Sequence, residues 1–596
     1  MRLHCLRIEG YKRIESATIL FGDATFLIGP NNTGKSTVLS AIAHLLSANK
    51  RIPEIEYYSI QDEATNERKT VSNKIVLEAE FRNLPLEAKT WRGFKGRIFD
   101  YDVDGAEESG LCLTYKKTYE LGKDVVIELK SKTRTIKPQY EDATTPQDLI
   151  DRGIAADLVS ELYDDLEKKL TAASRAKLQE INDIWDLGTD DTWFQNPGGI
   201  PGVVLSRLPR YIIIPADTSS NEMSGGGVLP KTLNELFEDV RASSRNYQEA
   251  QRLLNELAKE LDPSDESSEF GKMIIELNAI IASIFPESQI HARADLSDPD
   301  KSLKPNFTVE LSSNICTPVD HQGAGMIRSA VFGILRFRQK WLAKREDQGI
   351  ERSIIIGFEE PEIYLHPSAA NQMRDTIYEL SAHNSQIVAT THSPYLIDLS
   401  RKPKQVLDRF AIAGESIQVQ PFSVTDAFRA LQDEDRNYVK MILKVDDYVA
   451  RVFFTKRIVV VEGDTEDIVI RESLKRVEKA KRLDVIANTE VIKARGKASI
   501  IGLSKYLKAM GITPFVIHDR DRGIAGAERF NAPIQEVVGV DNVIQLEECL
   551  EQVLGYTPPQ SEKPFAAYSF AKGWGETWND LPERWRLVME RAFEIS

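Results

Sequence analysis

The first fifty residues alternate between apolar runs and short polar breaks. Residues 3–8 and 19–21 carry spaced apolar positions, and residues 26–28 are continuously apolar, which predicts three strands separated by turns. Residues 38–46 then place valine, leucine, isoleucine and alanine at helical spacing. The pattern therefore predicts strand, turn, strand, strand and helix, in that order.

The middle of the chain changes its periodicity. Residues 75–81 and 124–130 alternate as half-exposed strands and predict an antiparallel subsheet, whereas residues 156–186 and 231–285 have a helical period. These helices carry two apolar faces, which are formed by Leu233, Leu236, Phe237 and Val240, and by Met273, Leu277, Ile280 and Ile284. Because a lone helical hairpin cannot bury both faces against itself, we expect a helical insertion that also dimerises; the alternative is that part of this apolar surface packs on the first sheet.

The last third returns to alternating strands and helices. Apolar runs at 354–356 and 386–391 resume the first sheet, and a second α/β pattern begins after residue 440. In that pattern we expect strands at 458–461 and 515–517, with helices at 465–482 and 498–510 between them. The predicted organisation, in four segments, is an α/β domain at 1–155, a helical insertion at 156–286, the rest of the first domain at 287–440, and a second α/β domain at 441–596.

Composition narrows the class of protein. The chain has 596 residues, 42% of them hydrophobic, and no run approaches the roughly 20 apolar residues of a membrane span. Its first residues resemble neither a signal peptide nor a transit sequence, and its four cysteines have no metal-binding spacing, so we expect a cytoplasmic protein with reduced thiols.

The net charge of −15 argues against a generally nucleic-acid-binding surface. Residues 451–596 nevertheless hold equal numbers of basic and acidic side chains, so the whole excess lies in the first 450 residues. A basic cluster within this part consists of Arg471, Lys475, Arg476, Lys479, Lys481, Arg482, Lys493, Arg495 and Lys497. It is consistent either with a local DNA-binding stripe or with a solvated helix face.

Residues 29–36 read GPNNTGKS and fill every fixed position of the Walker A motif. Glycines at 29 and 34 let backbone N–H groups turn towards phosphates, Lys35 can reach the β and γ oxygens, and Ser36 can ligate Mg²⁺. The expected nucleotide-binding residues are Asn31, Asn32, Gly34, Lys35, Ser36 and Thr37. Since the motif lies between a predicted strand and a predicted helix, we expect ATP or GTP binding.

Two later strand ends supply the other groups that a nucleotide site needs. The run 354–358 leads to Glu359 and Glu360, which fits a Walker B motif in which one acid steadies the metal's water shell and the next activates water. The usual aspartate is replaced by Glu359. After the run 386–391, His392 stands at the right distance to sense the γ-phosphate.

A second set of acids follows strands in the C-terminal segment. Glu462 closes one apolar run, Asp519 and Asp521 close another, and Glu466 lies one helical turn after Glu462. Further candidates after a third apolar run are Glu547 and Glu548. Carboxylates gathered from separate strand ends are the ligands that Mg²⁺ or Mn²⁺ prefers, and two such metals can support phosphodiester hydrolysis.

The segments IIIGFEEPEIYLHP and IVATTHSPYLIDLS resemble the ABC-type ATPases related to the RecF and SMC proteins. The resemblance implies that Glu360 is the catalytic base, that His392 is the switch histidine, and that Lys12 or Arg13 lies near the nucleotide. Residues 322–329 occupy the place of the signature motif, which completes a partner subunit's ATP site, but they depart from its common Ser-Gly-Gly form. Gln61 is a candidate for the Q-loop glutamine.

The segments VVVEGDTEDIVI and FVIHDRDRG resemble the Toprim domain of topoisomerases, primases and certain nucleases. An ABC-type ATPase fused to a C-terminal Toprim domain is similar to the overcoming-lysogenization-defect (OLD) family of nucleases, which includes the nuclease subunit of the Gabija anti-phage system. The resemblance implies metal binding by Glu462, Glu466, Asp519, Asp521 and one of Glu547 or Glu548. It also implies a lysine that stabilises the pentavalent phosphate, for which Lys572 is favoured over Lys563 and Lys497.

The predicted fold class is therefore α/β, with an ABC-type, RecF/SMC-like ATPase that carries a helical insertion and precedes a Toprim domain. The predicted function is an ATP-regulated, Mg²⁺- or Mn²⁺-dependent DNA endonuclease or nickase in anti-phage defence or DNA metabolism. Two alternatives are an ATP-gated DNA-binding or sensor protein that does not cleave, and a nuclease that cuts RNA. Expected partners are DNA, a second copy in a homodimer or homotetramer, and a defence protein such as a helicase or a reverse transcriptase complex.

Overall fold

The computed structural model describes most of the chain. The described residues are 1–61, 68–91, 93–103, 108–163, 165–171, 174–175, 177–195, 201–216, 233, 244–260, 272–273, 275, 310–312, 316–318, 323–343, 352–363, 365–382, 385–414, 416–445 and 449–595. They form two compact units, one made of Met1–Ala216 with Asp347–Ser596 and the other of Asp217–Glu346.

The strands in chain order are as follows. They are β1 (Arg2–Tyr11), β2 (Ile14–Leu20), β3 (Ala24–Ile28), β4 (Ser59–Gln61), β5 (Arg68–Thr70), β6 (Lys74–Arg82), β7 (Phe99–Val103), β8 (Glu108–Glu120), β9 (Val126–Ile136), β10 (Trp185–Gln195), β11 (Arg210–Ile214), β12 (Glu310–Ser312), β13 (Cys316–Pro318), β14 (Ile354–Glu359), β15 (Ser385–Thr390), β16 (Gln405–Ala413), β17 (Ser416–Ser423), β18 (Arg457–Val461), β19 (Thr489–Lys493), β20 (Phe515–Asp519) and β21 (Val543–Leu546).

The helices in chain order are as follows. They are α1 (Lys35–Leu45), α2 (Pro138–Glu141), α3 (Pro146–Asp151), α4 (Ala156–Leu162), α5 (Pro201–Leu205), α6 (Arg245–Glu260), α7 (Ala324–Ala343), α8 (Pro367–Ser381), α9 (Val424–Arg429), α10 (Asp433–Val445), α11 (Asp464–Leu474), α12 (Lys479–Asn488), α13 (Lys497–Ala509), α14 (Ala525–Glu528), α15 (Asn531–Val538), α16 (Leu550–Leu554), α17 (Lys563–Lys572) and α18 (Glu583–Phe593).

Two sheets build the N-terminal part of the larger unit. An antiparallel sheet runs β10-β9-β8-β6-β1-β2, with β7 paired to β8, and a second sheet runs β11-β14-β15-β3-β16-β17. The second sheet is parallel except at the β16–β17 pair. Because the carboxyl ends of its parallel strands meet at one edge, the loops after β3, β14 and β15 come together there.

The apolar pattern explains this arrangement. Every residue of β3 and β15 is buried, as expected for central strands covered on both faces, whereas β6 alternates buried and half-exposed positions. One hydrophobic core joins the two sheets and α1, and it includes Leu6, Leu27, Leu39, Leu77, Leu113 and Val388. The predicted strands at the N-terminus and at 75–81 and the predicted helix after the Walker A motif are confirmed.

The C-terminal part is a smaller α/β domain. Its parallel sheet runs β19-β18-β20-β21 and packs on a core that includes Val459, Ile517 and the fully buried Trp585. The strands expected at 458–461 and 515–517 are confirmed. The single helix predicted for 465–482 is wrong, because α11 ends at Leu474 and α12 begins at Lys479. The short strand β19 was not predicted, since only two of its five residues, Val491 and Ile492, are apolar.

The predicted segment boundaries need correction. The range 156–286, expected to be a helical insertion, contains β10, which pairs with β9, and β11, which pairs with β14. Both strands belong to the sheets of the ATPase part, and the separate unit instead spans Asp217–Glu346. The boundary expected at residue 441 falls inside α10. Strand pairing decides these limits, Trp185 of β10 with Ile136 and Arg210 of β11 with Ile354, and the local apolar period does not show which distant strand is the partner.

The smaller unit is described in part. It contains α6, the β12–β13 hairpin and α7. Leu233 and Met273 belong to the predicted apolar faces and are described, whereas Leu236, Phe237, Val240, Leu277, Ile280 and Ile284 lie outside the described residues. The predicted dimerisation surface therefore stays a prediction. Among the described residues, none of the helices combines the length and the apolar character needed to cross a bilayer.

Helix α13 connects the two parts of the larger unit by close packing. It lies against α9 and α10 of the ATPase part. A Cβ at Gly502 would stand 3.0 Å from the Asp435 carbonyl oxygen, so glycine permits an approach that a larger residue would have to widen. Lys505 Nζ lies 2.6 Å from Asp435 Oδ2, and the buried Tyr506 ring meets Phe428 edge-on at 6.3 Å between centroids.

Candidate nucleotide and metal sites

The Walker A loop has the backbone that phosphate binding requires. Gly29 and Gly34 adopt φ values of 137° and 91°, and Asn32 is also left-handed at 67°. A Cβ at Gly29 would stand 2.3 Å from the Phe410 carbonyl oxygen, which excludes any other residue there. Helix α1 begins at Lys35, so its N-terminal N–H groups face the loop. Ser36 is exposed in the first turn, Thr37 is buried, and Asn31 is exposed in the loop.

Lys35 is the charged group of this loop. Its ammonium donates to the carbonyl oxygens of Gly29 at 2.9 Å and Pro30 at 2.7 Å. Burial lowers the pKa of Lys35, and the charge of Glu360 opposes that shift. The structure therefore places Lys35 within electrostatic reach of the Walker B acid, as the sequence predicted.

Glu360 and His392 also meet at this sheet edge. His392 Nε2 lies 3.4 Å from Glu360 Oε1, and burial and Lys35 lower the pKa of His392 while Glu360 opposes them. Glu360 has a left-handed φ of 41°, and its N–H donates to the Thr390 carbonyl at 3.0 Å. This strained backbone turns the carboxylate out of β14. Strained backbone conformations of this kind are frequent at functional sites.

Two further acids stabilise this edge. Glu359 accepts a hydrogen bond from the Ala216 N–H at 3.3 Å, which ties β14 to the end of β11. Glu362 accepts from the Thr391 hydroxyl at 2.6 Å and from the His392 N–H at 3.2 Å. Glu362 was not among the predicted site residues. It fixes the loop that carries His392, and burial raises its pKa.

A cavity of about 660 Å³ adjoins the Walker A loop. Its lining includes Lys12, Arg13, Asn32 and Gln61. Lys12 donates to the Ser40 hydroxyl at 3.3 Å, and Arg13 donates to the Asn32 carbonyl at 3.3 Å. The structure thus brings both basic candidates and the candidate Q-loop glutamine to the wall of one cavity beside the phosphate loop.

The predicted signature segment lies in the smaller unit. Its residues 323–329 are described and form the start of α7, whereas Gln322 lies outside the described residues. Ser329 Oγ donates to the Gly325 carbonyl at 2.8 Å, one turn earlier in that helix.

The metal candidates lie at the carboxyl edge of the Toprim sheet. Glu462 directly follows β18 and Asp519 ends β20, and Glu462 Oε1 accepts from the Asp519 N–H at 2.8 Å. Asp519 Oδ1 accepts from the Leu550 N–H at 2.9 Å, which ties it to α16. Glu466 accepts from the Gly463 N–H at 2.9 Å in the first turn of α11. The parallel sheet therefore gathers acids that the sequence separates by more than fifty residues.

Mutual repulsion adds to burial in raising the pKa values of these carboxylates. Burial raises the pKa of Asp519 to about 8, with further contributions from Glu462, Glu466, Asp521 and Glu551. Burial also raises the pKa of Glu462 to about 7, and that of Glu466 rises for the same reason with help from Glu551. Buried acids that repel one another are stabilised by a cation among them.

Glu551 is a member of this cluster that the sequence did not predict. It is 2% exposed, lies in α16, and has Lys563 Nζ 3.8 Å from its Oε1. The sequence signal was present but ambiguous, because Glu551 is the third acid in the stretch 547–551. A short helix, which begins after Cys549, turns this third acid inward.

The structure does not bring the predicted acids Glu547 and Glu548 into the cluster. The Glu547 side chain is 78% exposed and pairs with Arg584 at 3.3 Å. The Glu548 carbonyl accepts from the Asp521 N–H at 3.1 Å, so this residue contributes its backbone to the site. Both precede the turn into α16, and that turn directs Glu551 inward instead.

The structure does not bring the favoured lysine, Lys572, into the cluster. Lys572 is exposed in the last turn of α17, and its ammonium lies over the Tyr568 ring at 6.0 Å. Lys497 instead lies in the cluster, 2.6 Å from Asp521 Oδ2, and Lys563 contacts Glu551. The position of a lysine after the last acid in the sequence does not predict which lysine lies near the carboxylates, because α13 returns Lys497 to the sheet edge.

The donor set fits a hard divalent cation, since it consists of carboxylate oxygens, of which those of Glu466 and Glu551 belong to buried residues. Within the part of the chain that the structure describes, the side chains do not yet stand as a group of three or more that could hold a metal ion. Three of them instead accept backbone N–H groups. The residues that would hold a metal are Glu462, Glu466, Asp519, Asp521 and Glu551.

The basic cluster at 471–497 is largely paired within its own domain. Arg471 pairs with Asp467 at 2.8 Å, Lys475 with Glu472 at 2.6 Å, and Lys493 with Asp464 at 3.0 Å. Further pairs join Arg476 to Glu472, Arg495 to Asp464 and Lys497 to Asp521. These ion pairs reduce the positive field of the cluster. They favour a solvated helix face over a DNA-binding stripe.

Comparison with protein families matches both parts. Residues 1–397 match the family described as "AAA ATPase domain", and residues 453–521 match "Overcoming lysogenization defect protein-like, TOPRIM domain". The chain is 23% identical over 404 residues to the Old nuclease of Escherichia phage P2, covering 62% of this chain and 66% of that protein. It is 27% identical over 291 residues to the OLD nuclease of Thermus scotoductus, covering 46% of this chain and 52% of that protein.

The chain thus spans less than two thirds of the length of either relative. Among solved structures, the Smc head bound to the C-winged helix domain of ScpA has 12% identity and a TM-score of 0.36, over 72% of this chain and 100% of that chain. The SMC head domain from Thermotoga maritima has 11% identity and a TM-score of 0.28, over 71% of this chain and 99% of that chain. The Walker A, Walker B and Toprim geometry agrees with the two family matches: the chain belongs to the AAA ATPase domain family over residues 1–397, and it carries an OLD-like Toprim domain at residues 453–521.

Proposed function

We propose that this protein is a divalent-metal-dependent DNA endonuclease or nickase whose activity is regulated by ATP. The observation that carries the proposal is the convergence of five carboxylates from β18, α11, β20, the following turn and α16 at one sheet edge. Their oxygen donors suit Mg²⁺ or Mn²⁺. When bound, divalent metal would activate water and stabilise the leaving 3′ oxygen of a phosphodiester.

The chain's own residues hold this site in shape. Backbone N–H groups of Asp519, Gly463 and Leu550 orient three of the carboxylates, those of Glu462, Glu466 and Asp519. Lys563, beside Glu551 and 52% exposed at its side chain, is placed to meet an approaching phosphate. This arrangement supports hydrolysis by water rather than attack by a protein nucleophile.

The ATP site supports the regulatory part of the proposal. Lys35, Glu360 and His392 lie together at the other parallel sheet edge, and this is the set needed to bind and hydrolyse ATP. The two sites belong to different sheets of the same compact unit. Nucleotide therefore acts on cleavage from a distance and does not take part in it.

A cleavage assay tests the proposal directly. Supercoiled plasmid incubated with the full chain should be nicked or linearised with Mg²⁺ or Mn²⁺, and a chelator should stop the reaction. Cleavage of RNA but not DNA would move the substrate to the RNA-cleaving alternative. Binding of DNA without cleavage under either metal would favour the ATP-gated DNA-binding or sensor protein.

We also infer that the protein assembles at least as a homodimer. An ABC-type site needs a second subunit to supply its signature segment, here residues 322–329, and a constitutive interface would raise the effective concentration of the ATPase parts. Light scattering at micromolar concentration without nucleotide should give at least twice the 67.2 kDa of one chain. A monomeric mass would refute constitutive assembly, and doubling only with ATP would place the interface at the nucleotide sites.

The role we propose is anti-phage defence, which the family resemblance supports. Cells that express the chain should lower the plating efficiency of a sensitive phage, and the same chain with Asp519→Ala should not. Equal plating on both strains would point to general DNA metabolism. Co-purification with a helicase or a reverse transcriptase complex would identify the defence partner.

A further inference from the structure

Lys497 occupies an unusual position for a lysine. It is the first residue of α13, directly after Gly496 with its φ of 120°, and its side chain is only 4% exposed. Its ammonium lies 2.6 Å from Asp521 Oδ2 and donates to Asn531 Oδ1 at 3.1 Å. A buried ammonium with such partners is fixed in direction, because moving it would leave a buried charge unpaired.

Asn531 extends this contact to the backbone beside the metal ligands. Its amide nitrogen donates to the Arg520 carbonyl at 2.8 Å, between Asp519 and Asp521. Lys497 and the turn after β20 are therefore joined through one asparagine side chain.

The backbone at Asp521 requires such restraint. Its φ is 52°, in the left-handed region that is unfavourable for a non-glycine residue. The Asp521 N–H is held by the Glu548 carbonyl, and its carboxylate is held by Lys497. Lys497 thus engages one of the two carboxylate oxygens of Asp521, Oδ2.

We propose that Lys497 is a positioning residue of the nuclease site, which holds Asp521 so that its second oxygen is presented to the divalent metal. The inference rests on the proposed metal-dependent function. It differs from the role of a lysine that contacts the scissile phosphate, because the Lys497 ammonium is buried and already has two acceptors. Groups that orient metal ligands in this way typically contribute 10- to 100-fold in metal affinity.

The test is Mn²⁺ binding by calorimetry to the full chain, with DNA cleavage measured in parallel. Lys497→Gln should weaken Mn²⁺ binding by about 10- to 100-fold and raise the Mn²⁺ concentration needed for cleavage. Lys505→Gln is the matched control, since it removes the same charge from the same helix and breaks an ion pair of equal length at Asp435. The control should bind Mn²⁺ as the wild type does.

The sign of the effect separates two roles for Lys497. Removing a positive charge from an acidic cluster should by itself strengthen metal binding, so weaker binding identifies a loss of positioning. Tighter or unchanged binding in Lys497→Gln would overturn the inference. If the wild type binds no Mn²⁺, or Asp519→Ala binds it equally well, the proposed function itself fails.

A second variant guards against a folding defect in Lys497→Gln. Asn531→Ala keeps the lysine charge but releases both Lys497 and the Arg520 carbonyl, and it should also weaken Mn²⁺ binding, by a smaller factor. Lys497→Arg, which retains the charge, should restore part of the affinity lost in Lys497→Gln. Unchanged Mn²⁺ binding in Asn531→Ala, with a melting temperature equal to that of the wild type, would contradict the positioning role.

Discussion

Asp519→Ala is expected to reduce metal-dependent DNA cleavage by at least about 100-fold while nucleotide binding stays intact. Asp519 lies at the centre of the acidic cluster, where four other carboxylates contribute to its raised pKa. Loss of a metal ligand should cost more than loss of a group that merely orients one, which is worth 10- to 100-fold. Plasmid cleavage over a range of Mg²⁺ and Mn²⁺ concentrations measures the effect.

Glu547→Ala provides the matched control for this experiment. It removes a carboxylate from the end of β21, close in sequence to the cluster, but its side chain is exposed and paired with Arg584. Cleavage by this variant should stay within about threefold of the wild type. If Asp519→Ala cleaves as well as Glu547→Ala, the carboxylate cluster is not the nuclease site.

The second large effect is expected at the ATPase site. Lys35→Ala should weaken ATP binding by about 10- to 100-fold, because a hydrogen bond to a charged group contributes about 1.5–3 kcal/mol. Lys123→Ala is the control, since it removes an exposed lysine from the same part of the chain, where Lys123 pairs with Glu120. Calorimetry with ATP measures the affinity of both variants. Equal ATP affinity for Lys35→Ala and the wild type would show that the Walker A loop is not the phosphate-binding site.

Glu360→Gln separates binding from hydrolysis at the same site. The variant keeps the phosphate loop but removes the base, so it should bind ATP and hydrolyse it about 100-fold or more slowly. Phosphate release under saturating ATP measures the rate. A hydrolysis rate near that of the wild type would show that another group activates the water.

Much of both sites could be predicted from the sequence, because each lies at the ends of parallel strands. A buried parallel strand is a short apolar run, and the polar residues that follow it must lie at the shared sheet edge. Glu360 and His392 are predicted in this way, as are Glu462 and Asp519, whereas Lys35 is predicted from the Walker A motif. The contacts of Glu360 with His392 and of Glu462 with Asp519 confirm that the members of each pair lie together.

The remaining parts depend on tertiary structure. Glu551 belongs to the cluster because a five-residue helix turns it inward, and Lys497 belongs to it because α13 returns to the sheet edge. Nothing in the local residue pattern distinguishes these side chains from Glu547 or Lys572. The predicted limits of the helical insertion are wrong for a similar reason, since the strands that pair with β10 and β11 are distant in sequence.

The close contact of α13 with α9 and α10 also determines where the chain can be cut. A fragment that begins at β18 would keep the whole Toprim sheet but lose the helices that cover Gly502 and Tyr506. Exposing one large buried side chain costs about 1.5–3 kcal/mol, a sizeable share of the 5–15 kcal/mol that stabilises a domain. An excised nuclease domain should therefore melt at a lower temperature than the same residues in the full chain, and a fragment that starts before α9 should recover much of the difference.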